Sequence, residues 1–556
     1  MTDSSRRGSQ TAVAAGFVLA VLTGLALAIR LALDLDGALD VDTVAFALSV
    51  VRFDPVHHQP QPPGYPGYVL GLKAIHALWP WLDPLEVAKW GSRLCGTATV
   101  PLSFLACRAI GANQDPASAM ETPGPESLIR ALAAALFAAV HPLLWYYGSD
   151  GQVHAAEGMV TLALVIAAAR ARRRPGWAGA AALGAVFGLA GSVRSNIPLL
   201  GVPWFVWALW RRSLREGTAA VVAGAVVAIA WMLPTVLASG GLDLYLRANR
   251  ALLVEHIARH FSPLGAGFSA LSLLNLARAA YGMGLASVPL LAWGRRPGAW
   301  RRPFVATMLV SAVFYGLGFV SEPGYFAGVA ALACLTPATW PRADRAAVGL
   351  KVRAAIAFLA GPCLVLAGPA QVSLPGLGAV WVPSAAHVIE VERLQAFYRE
   401  RVCEAAGGRP ALVVTDHPNP LLMRILPRAC PGVLAVSYRL GGAVDPDLED
   451  LHMFGVDRVW TLPAEVPLEQ GPPGVLSLPF AVERVIVAPF ASEAIRDSLR
   501  TQASCGPLAS GISSGPPLLV WPARCLSPLR LGPHRLLNPG RPQSREEGTG
   551  HRIPER

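Results

Sequence analysis

The sequence predicts a polytopic α-helical membrane protein that carries a small α/β domain near its C-terminal end. Apolar residues make up 53% of the 556 positions and charged residues 15%, whereas about 25% of residues are charged in soluble domains. The apolar residues form blocks close to the roughly 20 residues that cross a bilayer. After about residue 372 these blocks end and short strand-like runs begin. The two patterns together give the fold class.

Window hydropathy indicates about eleven candidate spans. The first begins after Arg6 and Arg7, is longer than the apolar part of a signal peptide and lacks a clear small-residue cleavage site. We therefore expect it to be a retained helix. The candidate spans cover residues 11–33, 86–110, 128–147, 152–170, 177–193, 197–210, 218–238, 269–293, 303–320, 325–340 and 353–371.

The net charge of +11 lies mainly in short arginine clusters between spans, which are typical of cytoplasmic loops. The clusters fall at residues 170–174, 211–215, 295–302 and 342–353. By alternation, the segments expected outside are residues 34–85, 148–157, 194–196, 239–268, 321–324 and everything after about 372. We therefore expect a multi-pass protein of the bacterial inner (plasma) membrane and no nucleic-acid partner.

Three regions follow from these patterns: a membrane module (1–372), an extracytoplasmic α/β domain (373–525) and a disordered tail (526–556). Strands alternating with helices in the second region favour a largely parallel sheet. The absence of a G-x-G-x-x-G loop argues against nucleotide binding. The expected elements are helices at 385–405 and 420–426, strands at 411–415, 432–436, 456–460 and 481–488, and a turn at Asp416–Asn419.

Cysteine usage fits an outer domain, since four of the eight cysteines follow residue 372. Disulfides are permitted there; Cys403–Cys430 is one available pairing, and the sequence alone does not fix the connectivity. No Cys/His spacing matches a zinc site. The sequence assigns no metal ligand and no cofactor, and it leaves a divalent ion open.

The first outer loop carries four acids, Asp34, Asp36, Asp40 and Asp42, just past the first span. A carboxylate that is partly desolvated near lipid has a raised proton affinity, which suits a general base. The alternative is an ordinary solvated loop end. Spacing alone does not choose among the acids.

A proline-rich corner follows, running from His58 through Gln59, Pro-Gln-Pro-Pro and Gly64 to Tyr65 and Pro66. Prolines fix φ and Gly64 permits a tight turn. The corner therefore restrains the polar side chains around it at a low entropic cost.

An acid after the first span followed by a His-Pro-Pro-Gly-Tyr-Pro-like corner resembles the GT-C glycosyltransferases, and more narrowly their protein O-mannosyltransferase-like and RgtA/B/C/D-like branch. Further motifs follow in the family's order over roughly residues 10–340: Glu86–Leu94, Tyr146–Glu157, Gly188–Asn196 and Glu322–Tyr325. Two departures stand out. Asp42 is followed by Thr43 where the family often has Asp-Glu, and the His-Pro-Pro run is stretched here.

The resemblance implies inverting transfer of a sugar from a polyprenyl-phosphate donor to a lipid, glycan or protein acceptor on the extracytoplasmic face. Asp42 is the expected base, with Asp40 close behind and Asp54 able to contribute. The leaving phosphate would be stabilised by His58, Arg93 or Arg194. The other substrate-binding residues it implies are Gln59, Tyr65, Asp150, His154, Glu157 and Tyr325.

The main alternative is a transporter or flippase of a lipid-linked sugar, which would use charges and broken helices at mid-bilayer. The predicted spans are almost free of acids and the polar groups collect on one face, which favours the enzyme. The loop at 240–263 reads as an amphipathic helix on the membrane surface.

Overall fold

The computed structural model divides the chain into two compact units, residues 1–393 and 394–556. The residues it describes are 3–32, 34–35, 37–57, 59–113, 125–294, 298–318, 322–341, 348–374, 378–415, 430, 432–437, 458–460, 465–467, 469–470, 475–477, 481–487, 493–508, 518–526, 529–531 and 534–537.

Helices form most of the first unit. The α-helices are α1 (Asp3–Ala32), α2 (Val41–Val51), α3 (Pro66–Leu78), α4 (Pro84–Gly111), α5 (Pro125–Val140), α6 (Pro142–Tyr146), α7 (His154–Arg173), α8 (Trp177–Val193), α9 (Ile197–Leu209), α10 (Leu214–Ala238), α11 (Leu242–Arg250), α12 (Arg259–Phe261), α13 (Pro263–Ala266), α14 (Ala270–Ala286), α15 (Arg301–Val313), α16 (Ala327–Ala333), α17 (Val348–Ala367) and α18 (Ala385–Ala406). Short 3₁₀-helices cover Pro55–His57, Val288–Ala292, Pro323–Phe326 and Thr336–Thr339, and π-helical segments cover Ala251–Ala258 and Phe314–Gly318. A hairpin of β1 (Gln371–Leu374) and β2 (Gly378–Trp381) precedes α18.

Five helices in the described part of the chain are long and apolar enough to cross a membrane: Val13–Ala32, Pro84–Gly111, His154–Arg173, Leu214–Ala238 and Val348–Ala367. Each coincides with a span predicted from hydropathy, and the polytopic α-helical fold is confirmed. Helix α3 has 13 residues and is too short to span a bilayer. The loop expected to be amphipathic is helical over α11 and the π-helical segment that follows it.

Proline divides some of the other predicted spans into shorter helices. The span at 128–147 breaks into α5 and α6 at Pro142. The span at 325–340 continues past α16 as a 3₁₀-helix that contains Pro337. Proline lacks the N–H that the helical ladder needs and is best tolerated in a first turn, so a new helix begins beside each proline.

Helix α4 lies at the centre of the first unit, where it packs against α1, α2, α5 and α7. Its N-terminus is capped by Asp83, whose carboxylate accepts hydrogen bonds from the N–H groups of Leu85 and Glu86 at 2.9 and 3.1 Å. Such a cap satisfies backbone donors that a helix leaves without partners. The start of α4 is therefore fixed, and its first turns face the outer loop that precedes α2.

The second unit contains sheet, as its sequence predicts. Among its described residues, six strands form one sheet in the order β10–β9–β3–β4–β5–β6 and four form another in the order β11–β12–β8–β7. The strands are β3 (Ala411–Thr415), β4 (Val433–Ser437), β5 (Arg458–Trp460), β6 (Glu465–Pro467), β7 (Glu469–Gln470), β8 (Val475–Ser477), β9 (Arg484–Val487), β10 (Leu519–Pro522), β11 (Leu529–Leu531) and β12 (His534–Leu537). Helix α19 (Glu493–Gln502) and the 3₁₀-helix Ala523–Leu526 connect them.

The prediction of a largely parallel sheet is wrong for the outer strands. Strand β3 is parallel to β4 and β9, but the pairs β9–β10, β4–β5 and β5–β6 are antiparallel. Residues 461–464 are too few for the crossover that a parallel β5–β6 pair requires. The helix expected at 420–426 and the turn expected at Asp416–Asn419 lie outside the described residues.

The prediction of a disordered tail from residue 526 is wrong at two strands. Strand β11 pairs with β12, and β12 is also parallel to β8. A Pro/Gly/Arg-rich composition indicates disorder because such a segment buries little apolar surface by itself. Here β8, which precedes the tail in sequence, pairs with β12 and provides its hydrogen-bond partners. The composition of the tail does not indicate this pairing.

Two disulfides are present in the described part of the second unit, Cys403–Cys430 and Cys505–Cys525. The first is the pairing that the sequence analysis gave as one possibility, with the connectivity left open. The cysteines of the membrane module, Cys95, Cys107, Cys334 and Cys363, are free thiols.

A close helix crossing provides a test of this fold. Gly184 of α8 faces Ala220 of α10, and a Cβ at Gly184 would overlap the Ala220 backbone, with the Ala220 Cα at 2.9 Å. We expect Gly184→Ala to lower stability by about 1–3 kcal/mol through overpacking, seen as a lower Tm of the purified protein in detergent.

The matched control is Gly217→Ala in α10, where no described atom lies within 4 Å of the added Cβ. Because Gly costs about 0.5–1 kcal/mol relative to Ala inside a helix, this change should raise Tm slightly. A Tm for Gly184→Ala equal to or above that of the control would contradict the α8–α10 crossing.

Candidate active site

The first outer loop places two acids at the start of α2. Asp40 is the N-cap of this helix, and its carboxylate accepts a hydrogen bond from the Asp42 N–H at 2.8 Å. Asp42 lies in the first turn and is half-buried. The next residue, Thr43, donates its hydroxyl to the Asp150 carbonyl oxygen at 2.6 Å. The first and second outer loops are therefore joined directly beside Asp42.

The proline corner is held by backbone pairing. The N–H of Asp54 donates to the Gln59 carbonyl at 2.7 Å, and the N–H of Gln59 donates to the Asp54 carbonyl at 2.9 Å. The Gln59–Pro60 and Pro62–Pro63 peptides are cis. Gly64 has φ 103° and Tyr65 φ 48°, so the chain turns sharply into α3, with the Tyr65 ring 5.4 Å from Phe46.

The start of the same loop is clamped to α4. Asp34 forms ion pairs with Arg93 and with Lys89, the latter at 3.3 Å. Lys89 also pairs with Glu86 at 2.8 Å and donates to the Leu35 carbonyl. Arg93 and Lys89 are 1% and 2% exposed. Arg93, expected to bind substrate, thus lies against Asp34 at the start of the loop.

Asp150 in the second outer loop is a buried carboxyl group, 2% exposed. Its Oδ1 accepts a hydrogen bond from the Gln152 N–H at 2.8 Å, whereas Oδ2 has no partner among the described residues. Burial raises the pKa of Asp150 well above its usual value, and the nearby acids Glu322, Asp40 and Asp42 raise it further. Asp150 therefore holds a proton more readily than an exposed aspartate does.

A second group of side chains, here called the arginine cluster, consists of Arg194, Glu157, His154 and Tyr325. The Arg194 Nη1 lies 2.6 Å from Glu157 Oε2 and 2.8 Å from His154 Nδ1. Its guanidinium carbon lies 4.2 Å from the centre of the Tyr325 ring. Arg194, Glu157 and His154 are 4%, 0% and 2% exposed. The cluster is thus a buried, hydrogen-bonded ion pair with an aromatic ring stacked on the cation.

Arg194 remains a cation in this setting. Burial lowers its pKa, but the adjacent Glu157 carboxylate and the surrounding tyrosines raise it more, so the pKa lies above its usual value. Burial raises the pKa of Tyr65 to about 12, while Arg194 acts to lower it and Asp42 and Glu157 act to raise it. Tyr65 therefore lies within electrostatic range of both the first-loop acid and the arginine cluster.

Glycines make room for the cluster. A Cβ at Gly324 would lie 2.7 Å from His154 Cδ2 and 2.7 Å from Tyr147 Cε1. Beside Gly324, Glu322 places its Oε2 3.6 Å from His154 Nε2, and its side chain is 41% exposed. The Glu-Pro-Gly-Tyr corner of the sequence therefore packs against His154 from the side opposite Arg194.

The structure brings together most of the residues expected from the sequence, but not all of them. Arg194, Glu157, His154 and Tyr325 are in contact. Electrostatic effects link Tyr65 to Arg194, Glu157 and Asp42, and a separate set links Asp150 to Asp40 and Asp42. Gln59 is buried in the corner, and His58 lies outside the described residues.

Glu322, Tyr147, Tyr315 and Lys89 were not selected from the sequence. The sequence could have indicated Glu322, because it belongs to the same Glu-Pro-Gly-Tyr motif as Tyr325. In the described part of the chain no group of three or more His, Cys, Asp or Glu side chains is arranged to hold a metal ion.

Comparison with known proteins identifies the fold of the chain. No family model and no curated protein matches the chain. Two crystal structures of ArnT from Cupriavidus metallidurans do match, one in the apo state and one bound to undecaprenyl phosphate. The chain has a GT-C fold.

The likeness extends over nearly the whole of both chains. The apo structure is 13% identical, with a TM-score of 0.52 over 91% of this chain and 98% of ArnT. The undecaprenyl phosphate complex is 14% identical, with a TM-score of 0.52 over 91% and 97%. At such identity the likeness is one of fold, and it confirms the fold that the motif resemblance implied.

The buried ion pair of the arginine cluster yields a prediction. Removing one member of a buried pair costs about 3–5 kcal/mol because the other charge loses its partner. We expect Arg194→Leu to lower Tm strongly, and the double substitution Arg194→Leu/Glu157→Leu to recover much of that loss.

The exposed pair Arg247–Asp243, at 2.8 Å with both side chains more than 60% exposed, serves as the control. Arg247→Leu should leave Tm almost unchanged, since solvent screens such pairs. If the double variant at positions 194 and 157 were less stable than either single variant, the two charges would not be coupled.

Proposed function

We propose that the chain transfers a sugar from a polyprenyl-phosphate donor to an acceptor hydroxyl or amine at the extracytoplasmic face of a bacterial inner membrane. The GT-C fold is that of ArnT, which has been crystallised with undecaprenyl phosphate bound. The outer-loop side chains described above supply the groups that such a transfer needs.

The observation that carries the proposal is the bond between the loop of Asp42 and the second outer loop, which Thr43 makes to the Asp150 carbonyl at 2.6 Å. Tyr65 lies beside this junction, and, besides the effect of burial, its pKa is lowered by the charge of Arg194 and raised by that of Asp42. Sugar transfer needs a base for the attacking group close to donors for the leaving phosphate. An acid and a buried cation that both influence the pKa of one tyrosine support such a site.

Asp42 is the better candidate for the base. Asp40 uses its carboxylate to cap α2 by accepting the Asp42 N–H, a role that holds it against the helix end. In the proposed step, Asp42 takes the proton of the acceptor while the acceptor atom bonds to the anomeric carbon. The bond from that carbon to the phosphate oxygen breaks, and its electron pair stays on the phosphate, so the configuration inverts.

Tyrosine hydroxyls are proposed to donate to the leaving phosphate. Tyr65 and Tyr325 are half-buried, and phenols keep their protons at neutral pH. The neighbouring Arg194 is itself buried and paired with Glu157. Its positive charge strengthens the tyrosine O–H groups as donors to an anion. Arg194 therefore acts through the tyrosines as a positioning residue.

The orientation of the chain is also part of the proposal. The arginine clusters favour cytoplasmic placement for residues 170–174 and 211–215, which puts the outer loops on the opposite side. Disulfides persist in oxidising compartments, and the second unit contains two. Both features support an extracytoplasmic second unit.

The two acids of α2 can be separated experimentally. Asn is as good an N-cap as Asp, so Asp40→Asn should keep the helix start and retain activity within about threefold. Asp42→Asn removes the proposed base and should lower transfer by about 10²–10⁴-fold. The measurement is transfer from a panel of radiolabelled undecaprenyl-phosphate sugars in membranes that contain each variant at equal levels.

The matched control is Asp83→Asn, which changes another N-cap acid at the start of α4 and should leave transfer unchanged. Loss of activity in Asp40→Asn with retention in Asp42→Asn would reverse the assignment of the base. If the wild type transfers sugar from no donor in the panel while it still binds undecaprenyl phosphate, a flippase or transporter becomes the better explanation.

A further inference from the structure

A histidine from beyond the predicted membrane module contacts the second outer loop. The Tyr146 hydroxyl lies 2.7 Å from His387 Nδ1. The two rings are also stacked, with centroids 5.9 Å apart and planes inclined by 13°. His387 lies in the first turn of α18, outside the region that resembles the GT-C family by its motifs. Tyr146 is 5% exposed.

His387 is held in place by its own segment. The Ser384 hydroxyl oxygen accepts a hydrogen bond from the His387 N–H at 3.2 Å, and it donates to the Pro369 carbonyl at 2.9 Å. The Val382 N–H donates to the Ala370 carbonyl at 3.0 Å. The start of α18 is thereby tied to the end of α17, and the imidazole is presented at a fixed point.

The chemical state of the pair follows from its surroundings. Burial lowers the pKa of His387 to about 4, so the imidazole is neutral at physiological pH. A neutral imidazole has one N–H donor and one acceptor nitrogen. With the imidazole proton on Nε2, the Tyr146 hydroxyl donates to Nδ1; with it on Nδ1, the Nδ1–H donates to the phenol oxygen. In both tautomers the contact is a hydrogen bond between two neutral groups.

Tyr146 is connected to the candidate site by two contacts. Its ring lies 5.0 Å from the Tyr147 ring, which in turn lies 4.9 Å from His154 of the arginine cluster. Its carbonyl accepts the Ser149 N–H at 3.0 Å, one residue before Asp150. A rotation of Tyr146 would therefore disturb both His154 and the loop that carries Asp150.

We propose that His387 is a positioning residue of the active site, which fixes the second outer loop through the Tyr146 hydroxyl. This inference rests on the proposed sugar transfer. Neither side chain need touch the substrate, since Tyr146 is buried. The effect is on the geometry of the reacting groups, so kcat is expected to change more than KM.

The test compares steady-state transfer by purified protein in detergent, normalised to folded protein by size-exclusion chromatography. His387→Ala should lower kcat by about fivefold to tenfold, as expected for one lost neutral hydrogen bond. KM should stay within about twofold. His387→Asn should recover most of kcat, because its side-chain amide can accept from or donate to the Tyr146 hydroxyl near the position of Nδ1. Glu390→Ala, an exposed change on the same helix, is the control and should match the wild type.

A double-mutant cycle completes the test. Tyr146→Phe should lower kcat as much as His387→Ala does, and the combined variant should be no slower than either single variant, because both remove the same bond. Wild-type kcat in His387→Ala, additive losses in the double variant or no recovery in His387→Asn would each overturn the positioning role. Absence of transfer by the wild type would instead overturn the proposed function, and the positioning role with it.

Discussion

The buried ion pair between Arg194 and Glu157 is the interaction on which the candidate site depends. A charge removed from water is tolerated only when it is paired and hydrogen-bonded, and here Nη1 of Arg194 lies within 2.8 Å of both Glu157 and His154. The pair joins the first turn of α7 to the end of α8. Because the guanidinium then supports the Tyr325 ring, a third segment of the chain is held at the same point.

The outer loops are restrained by contacts with the helical scaffold in addition to the helices and backbone pairs within the first of them. Asp34 is clamped by Lys89 and Arg93 of α4, and Thr43 is bonded to the Asp150 carbonyl. These contacts fix both ends of the segment that carries Asp42. Correct placement of a reacting group can lower a barrier by several kcal/mol, and in the proposed transfer these contacts would hold Asp42 in place.

Much of the site could be anticipated from the sequence because its residues follow the alternation of the membrane spans. Arg194, His154 and Glu157 all lie at span ends expected on one face, and the structure places them in contact. Spacing did not reveal that Arg93 would pair with Asp34. Nor did it reveal the contact between Tyr146 and His387, which are 241 positions apart. Contacts of that range leave no periodic signal in the chain.

The sequence by itself determined the polytopic helical fold. Crossing the bilayer hydrocarbon requires about 20 apolar residues per span, and a short window of sequence is enough to detect such a run. The helix boundaries at Pro142 and Pro337 divide two of the predicted spans into shorter helices. Only the tertiary structure decided which acid caps α2, which cations form ion pairs and how the strands of the second unit pair. Those outcomes depend on side chains and backbone groups that meet across long stretches of sequence, where burial and hydrogen-bond satisfaction select the partner.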